Sequence, residues 1–244
     1  LSTGSGTDAL HLAYILAGIK KGDEVIVPVF TCTATNIPLL YMGAKIKFAD
    51  IDPETMNISI ESIKKLISKK TKAIVCVHYG GNCCRMDEIK KIAKKFNIKI
   101  IEDAAQAMGA EYGKIKVGNI GDFTAFSFQA IKHTTTGDGG MLAIKDKKLI
   151  DKAKRIRWFG IDRKKKQLGT WKNDIYEVGY KYQLNDLGAA LGLEGLKDFK
   201  KILNHRRKLY NYYLKRFANN SLVKPIHEFR KKNNTAAWIF TISS

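Results

Sequence analysis

Ala73-Ile74-Val75-Cys76-Val77, then Asp87-Glu88-Ile89-Lys90-Lys91-Ile92-Ala93-Lys94-Lys95-Phe96, then Lys99-Ile100-Ile101 reads as a strand, a helix and a strand in succession. The outer runs are short, almost continuously apolar and β-branched, as strands covered on both faces must be. The middle run carries Ile89, Ile92, Ala93 and Phe96 at helical spacing with lysines between them. Such a unit predicts parallel neighbouring strands joined by a crossover helix.

The same alternation extends outward. Glu24 to Val29, Lys45 to Phe48 and Thr124 to Phe128 are further strand candidates, and Asp8 to Ala17, Thr33 to Tyr41 and Ile60 to Ser68 are helical. The expected fold class is therefore α/β, a mostly parallel central sheet covered by helices. Ligands of such sheets bind at the carboxyl ends of the strands. His78, Asp103 and Ser127 all fall at or just after those ends.

From Leu187 the pattern changes to one long helical stripe running toward Leu214 and Phe217, broken by Pro225, and Thr235 to Ile242 reads as a strand. We expect residues 1–200 to form a large domain, and residues 201–244 a connecting helix with part of a smaller α+β domain. Lys164 to Asn173 reads as a basic surface loop.

The formal net charge of +20 raises the question of an anionic partner. The lysines nevertheless lie on separate helix faces, Lys64 and Lys65, Lys90 to Lys95, Lys147 to Lys154, with no arginine-rich strip interleaved with aromatics. A solvated surface is favoured over a nucleic-acid site. No run of eighteen apolar residues occurs, so no membrane span is expected. Cys32, Cys76, Cys83 and Cys84 offer neither a disulfide framework nor paired zinc ligands, which fits a reducing cytoplasm and no metal. The sequence lacks an initial methionine and opens on a ligand-like turn, and both ends read as cut.

Three segments carry chemistry. Thr3-Gly4-Ser5-Gly6-Thr7-Asp8 opens a helix, and its free N–H groups and positive dipole end suit a phosphate, while Ser5 or Thr7 also suits a plain helix cap. Ile101-Glu102-Asp103-Ala104-Ala105-Gln106 places an acid at a buried strand end, either as the cap of a following helix or as the partner of a protonated ring nitrogen, with Gln106 one helical turn later. Ser127-Phe128-Gln129-Ala130-Ile131-Lys132-His133-Thr134-Thr135-Thr136-Gly137-Asp138-Gly139-Gly140 is a loop between two strand-like runs that presents one lysine of 35, Lys132, to a ligand.

Together with Asp23-Glu24-Val25-Ile26-Val27-Pro28-Val29-Phe30-Thr31, Val77-His78-Tyr79-Gly80-Gly81 and Gly179-Tyr180-Lys181-Tyr182-Gln183-Leu184-Asn185-Asp186, these segments resemble, in order and over practically the whole chain, the DegT/DnrJ/EryC1/StrS family. The resemblance implies a fold-type I pyridoxal 5'-phosphate aminotransferase that uses L-glutamate to aminate a nucleotide-linked keto-deoxysugar, for amino-sugar or polysaccharide synthesis. It makes Lys132 the Schiff-base lysine, Asp103 the partner of the pyridinium nitrogen, Gln106 a cofactor contact, and Gly6, Thr7 and Ser127 the phosphate cradle. It further implies a homodimer with shared active sites, in which Lys181 or Gln183, standing where family members carry asparagine and arginine, reaches the partner's phosphate.

Cys32 stands where the family stacks an aromatic residue on the cofactor. Sugar 3-dehydratases similar to this family carry histidine in place of the lysine, so Lys132 favours transamination. Trp158 to Arg163 and the run to Gln183 resemble the perosamine-synthase-like branch, although Trp158 and Phe159 also read as core. Competing expectations are a catalytically degenerate or regulatory member of the same fold, or a basic nucleic-acid-binding protein.

Overall fold

The computed structural model describes residues 1–163, 175, 177–226 and 233–243. The Lys164 to Asn173 loop lies outside the described residues. A seven-stranded sheet organises the chain, in the order β1 (Ser2–Thr3), β9 (Gly140–Ile144), β8 (Phe123–Ser127), β5 (Lys99–Asp103), β4 (Thr71–Val77), β2 (Glu24–Pro28) and β3 (Lys45–Ala49). The strands from β8 to β3 are parallel, while β9 runs antiparallel to both β8 and β1.

Successive strand residues point to opposite faces, and both faces are buried, which is why these runs are apolar throughout rather than alternating. Val25, Val27, Ala73, Val75 and Ile101 pack against α1 (Gly6–Leu16), α2 (Thr33–Tyr41) and α5 (Ile150–Arg157). Ile26, Ile74, Cys76 and Ile100 face the other way, onto α3 (Ile60–Leu66) and α4 (Met86–Phe96), joined by Leu203 of α6 (Asp186–Phe217). Helix α4 shows how sequence delivers the crossover. Met86, Ile89, Ile92 and Ala93 are buried and the helix's four lysines, Lys90, Lys91, Lys94 and Lys95, are exposed. Asn97 then ends the helix in the left-handed conformation (φ 53°), an αL cap that turns the chain into β5.

Four expectations need correction. The residues after Asp103 form tight turns, not a helix: Ala107 N–H reaches back only to Ala104 and Ala110 N–H to Ala107. Gly109, at φ +84°, closes this path against Phe199 and Leu203. Thr235 to Ile242 is not one strand. Only Ile242–Ser243 pairs, with Lys224–Pro225, while Ala236 and Trp238 N–H groups donate to the Gly81 and Gly80 carbonyls. That crossing requires glycine, since a Cβ on Gly81 would lie 2.9 Å from Ala236 Cβ. Pro225 pairs with Ile242 in this two-residue antiparallel ladder, and α6 ends before it at Phe217. Phe159 is not core: it is 43% exposed, at φ 54°.

All four cysteines are free, with Cys32 exposed and the other three buried. No helix among the described residues is long and apolar enough to cross a membrane.

Candidate active site

Four adjacent parallel strands, β8, β5, β4 and β2, end along one edge of the sheet, and the residues singled out above gather there. Strand pairing sets Ser127 opposite Gly140 and Gly140 opposite Thr3, so the chain leaving β1 starts α1 beside Ser127. The approach is close. A Cβ on Gly140 would fall 2.4 Å from the Ser5 carbonyl oxygen, and one on Gly6 would fall 2.9 Å from Ser127 Cβ. Ser5 is the helix cap, its Oγ accepting the Asp8 N–H at 3.0 Å. Gly6 and Thr7 are thus the first helical residues, whose N–H groups lack intrahelical acceptors at the positive end of the dipole.

Asp103 ends β5 and is 5% exposed. Its Oδ2 accepts the Thr35 hydroxyl at 2.7 Å and its Oδ1 the Ala105 N–H at 3.1 Å. Burial raises the carboxyl above its ordinary value, opposed by the Thr35 and Ala105 hydrogen bonds and by the charge of Lys132.

Lys132 lies in the β8–β9 loop, which Phe128 closes by donating to Gly139 and accepting from Thr136. Burial lowers the Lys132 amine, against the opposing pull of Asp103 and of Cys32. A lysine whose amine is less readily protonated is a better nucleophile and base. His133, beside it, points elsewhere. It is buried and donates from Nε2 to the Ala236 carbonyl at 2.6 Å, so of this pair it is Lys132 whose charge acts on Asp103.

Gln106 is anchored: its Oε1 accepts the Gly80 N–H at 2.7 Å. Its amide N–H group is the end left for a ligand. Behind the edge, His78 and Glu102 are fully buried side chains joined at 2.9 Å. The Cys84 N–H points at His78 Nδ1, so the ring proton that meets Glu102 sits on Nε2, and against burial Cys84 and Glu102 draw the imidazole above its ordinary value. Glu102 also accepts from Gly121 N–H and Thr124 Oγ1, each at 2.7 Å. Burial pushes its carboxyl up, but these donors outweigh burial and leave it below the ordinary value.

The structure does not bring Lys181 into this group. It is exposed and pairs through its backbone with Trp158, its amine 6.0 Å from that indole. Its segment lies against the start of the cradle, where Gly4 N–H donates to the Tyr182 carbonyl at 2.7 Å and Tyr182 OH meets His11 Nδ1 at 2.8 Å. Gln183 Oε1 is buried without a partner among the described residues.

Sequence reasoning missed two residues. Thr35 escaped because it stands on α2, after a strand separated from β5 by β4; its only signal is the hydroxyl at i+4 from Thr31. Trp238 covers Lys132, with Nζ 4.1 Å from the ring centroid and the indole N–H donating to the Ile131 carbonyl at 3.2 Å. It was hidden inside a run read as a strand.

Comparison with known proteins agrees with this geometry. The model of the DegT/DnrJ/EryC1/StrS aminotransferase family matches residues 1–244. GDP-perosamine synthase of Escherichia coli O157:H7 is 38% identical over 238 residues, covering 98% of this chain and 63% of the relative. The sugar aminotransferase CalS13 of Micromonospora echinospora superposes with a TM-score of 0.93 at 32% identity, over 99% of this chain and 67% of that one. Spr1654 of Streptococcus pneumoniae in its PLP-form gives a TM-score of 0.89 at 29% identity, over 99% of this chain and 65% of that one. The chain spans 56–64% of the length of the curated relatives compared with it. With the family model covering every residue and the sheet edge assembled as described, the chain belongs to the DegT/DnrJ/EryC1/StrS aminotransferase family.

Proposed function

We propose that the chain is the cofactor-binding part of a pyridoxal 5'-phosphate-dependent aminotransferase that moves an amino group from L-glutamate to a nucleotide-linked keto-deoxysugar, in the first instance a 4-keto-6-deoxyhexose. The observation that carries this reading is the gathering at one sheet edge of Lys132, its amine made less basic by burial, the buried carboxylate of Asp103, on which the lysine's charge acts, and the Gly6–Ser127 contact.

The residues fit the cofactor. Gly6 leaves room that any Cβ would fill against Ser127, and the first N–H groups of α1, Gly6 and Thr7, with the Ser127 hydroxyl, suit its phosphate. Asp103 suits a protonated pyridine nitrogen, and the free amide end of Gln106 suits the phenolic oxygen. When bound, the cofactor supplies the electron sink that transamination needs. The protein supplies the rest: Asp103 holds a proton on the ring nitrogen, and the Lys132 amine, after anchoring the cofactor, carries protons to and from the reacting carbon.

Cys32, close enough to Lys132 to influence its amine, offers a polarisable sulfur where relatives stack an aromatic ring. In this reading residues 1–200 belong to the large domain and residues 201–244 lead into a smaller one. The enzyme works as a cytoplasmic homodimer, with Lys181 reaching the partner's phosphate. Exposed apolar side chains such as Tyr41, Val178, Leu187 and Leu193 support such a pairing.

The test uses full-length protein with added cofactor. Wild type is expected to gain a visible absorbance band that borohydride abolishes while fixing the cofactor's mass to the peptide containing Lys132. It should then convert glutamate and a GDP-linked 4-keto-6-deoxyhexose to 2-oxoglutarate and an amino sugar. Absence of the band in folded protein would sink the reading, and a band without turnover would favour the degenerate alternative.

A further inference from the structure

Thr35 is fully buried, and its hydroxyl stands 2.7 Å from Asp103 Oδ2 and 2.7 Å from Thr31 Oγ1. A hydroxyl has one proton to give. An ionised Asp103 can only accept, so the Thr35 proton goes to Asp103 and the Thr31 proton goes to Thr35. The direction of the chain Thr31 to Thr35 to Asp103 is thereby fixed. The backbone under it is fixed as well: the Thr35 carbonyl accepts the hydroxyl of fully buried Tyr14 at 2.8 Å, and Thr35 N–H donates to Cys32 at 3.0 Å. Thr31 precedes the Cys32 cap of α2 and Thr35 lies in the first turn of the helix, so the 2.7 Å contact between their hydroxyls ties the approach to the helix to its start. That start meets the end of β5.

We propose that Thr35, backed by Thr31, is the positioning residue of Asp103: the two hydroxyls orient the carboxylate and hold it ionised for the ring nitrogen of the cofactor. The inference rests on the cofactor reading above for its purpose, but not for its existence. With Thr35 at Oδ2 and Ala105 N–H at Oδ1, each oxygen already has one donor, so the carboxylate cannot rotate freely and its remaining lone pairs are directed. A buried carboxylate without such donors retains its proton. Protonated, it no longer favours a positive charge on a neighbouring ring.

The experiment compares wild type with Thr35→Val, which keeps the shape and removes the hydroxyl, Thr35→Ser, which restores it, and Thr31→Val. Two readouts are taken. In protein without cofactor, the infrared carboxyl stretch of Asp103, identified by its loss in Asp103→Asn, is followed against pH. With pyridoxal phosphate added, the dissociation constant is measured from the visible band.

Thr35→Val is expected to move the ionisation of Asp103 to higher pH and to weaken the cofactor about tenfold, the worth of one hydrogen bond to a charged group. Thr35→Ser should return both toward wild type, and Thr31→Val should move both in the same direction by less. Combined with Asp103→Asn, Thr35→Val should add no further loss of affinity. An infrared profile unchanged in Thr35→Val, or losses that simply add, would overturn the proposal. If the infrared profile shifts but wild type itself binds no pyridoxal phosphate, the relay stands and the cofactor reading fails.

Discussion

Gly6 and Ser127, from the first turn of α1 and the last residue of β8, lie so close that a Cβ on Gly6 would sit 3.4 Å from Ser127 Oγ and 2.9 Å from its Cβ. Gly6 has ordinary helical geometry, so its need for glycine is one of space alone. Gly6→Ala should push the helix start from the strand end while leaving the helix itself as stable or more so. The expected result is cofactor affinity weakened roughly tenfold or more, for an overpacking cost of about 1–3 kcal/mol. A titration of the visible band, with thermal unfolding of the cofactor-free protein alongside, checks it. An unchanged dissociation constant would mean that this contact does not shape the phosphate site.

The Lys132 amine is depressed, first by burial. It therefore sheds its proton at lower pH than a lysine of ordinary value. Limiting amine-directed acylation followed across the alkaline range should label Lys132 with an inflection below the ordinary lysine value, and added pyridoxal phosphate should protect it selectively. Mass mapping of the labelled peptides reads the outcome. An inflection of Lys132 at or above the ordinary value would contradict the assigned environment.

The parts legible in sequence were those governed by local pattern. Val25 to Val27, Ala73 to Cys76 and Ile100–Ile101 must be apolar on both faces because helices cover both, and that alone located the sheet and its carboxyl edge. Asp103, Ser127 and Gly6 could be singled out because each sits at a strand or helix end, and Lys132 because it lies in the loop that leaves β8. Thr35 and Trp238 could not. Their importance comes from adjacency across β4 and from a segment crossing Gly80 and Gly81, and neither leaves a periodic trace. Gln106 stands in a turn rather than the expected helix, and its orientation comes from Gly80 N–H.

Asp103 carries a stability cost at the position proposed to meet the cofactor. Burial raises its carboxyl above the ordinary 3.8. The folded chain therefore holds this proton more tightly than the unfolded chain, and stability contributed here is present below that value and lost as pH rises through the folded one. At neutral pH, Asp103→Asn should make the cofactor-free protein more stable, by roughly 1 kcal/mol, with the advantage fading in acid. The same substitution should abolish tight cofactor binding. Denaturant midpoints of both proteins at pH 4 and pH 7 measure the effect, and a less stable variant at neutral pH would refute it.

Glu102 should behave in the opposite sense. Its folded carboxyl is held below the ordinary 4.5, so its contribution is present above that value and lost as pH falls through the folded one. Glu102→Ala leaves His78 Nε2, Gly121 N–H and Thr124 Oγ1 without their acceptor, at a cost of about 3 kcal/mol. Glu102→Gln should rescue only part of this. Its carbonyl oxygen can still serve Gly121 and Thr124, but its amide N–H group then faces a ring nitrogen that carries a proton. Moving that proton to Nδ1 would set it against the Cys84 N–H, which points at Nδ1 from 3.2 Å. Either arrangement loses a buried hydrogen bond. Urea unfolding at pH 7 should rank wild type above Glu102→Gln above Glu102→Ala, with the gaps narrowing below the ordinary carboxyl value. A glutamine variant as stable as wild type would show that His78 tolerates the other tautomer, and that the Cys84 N–H does not fix it.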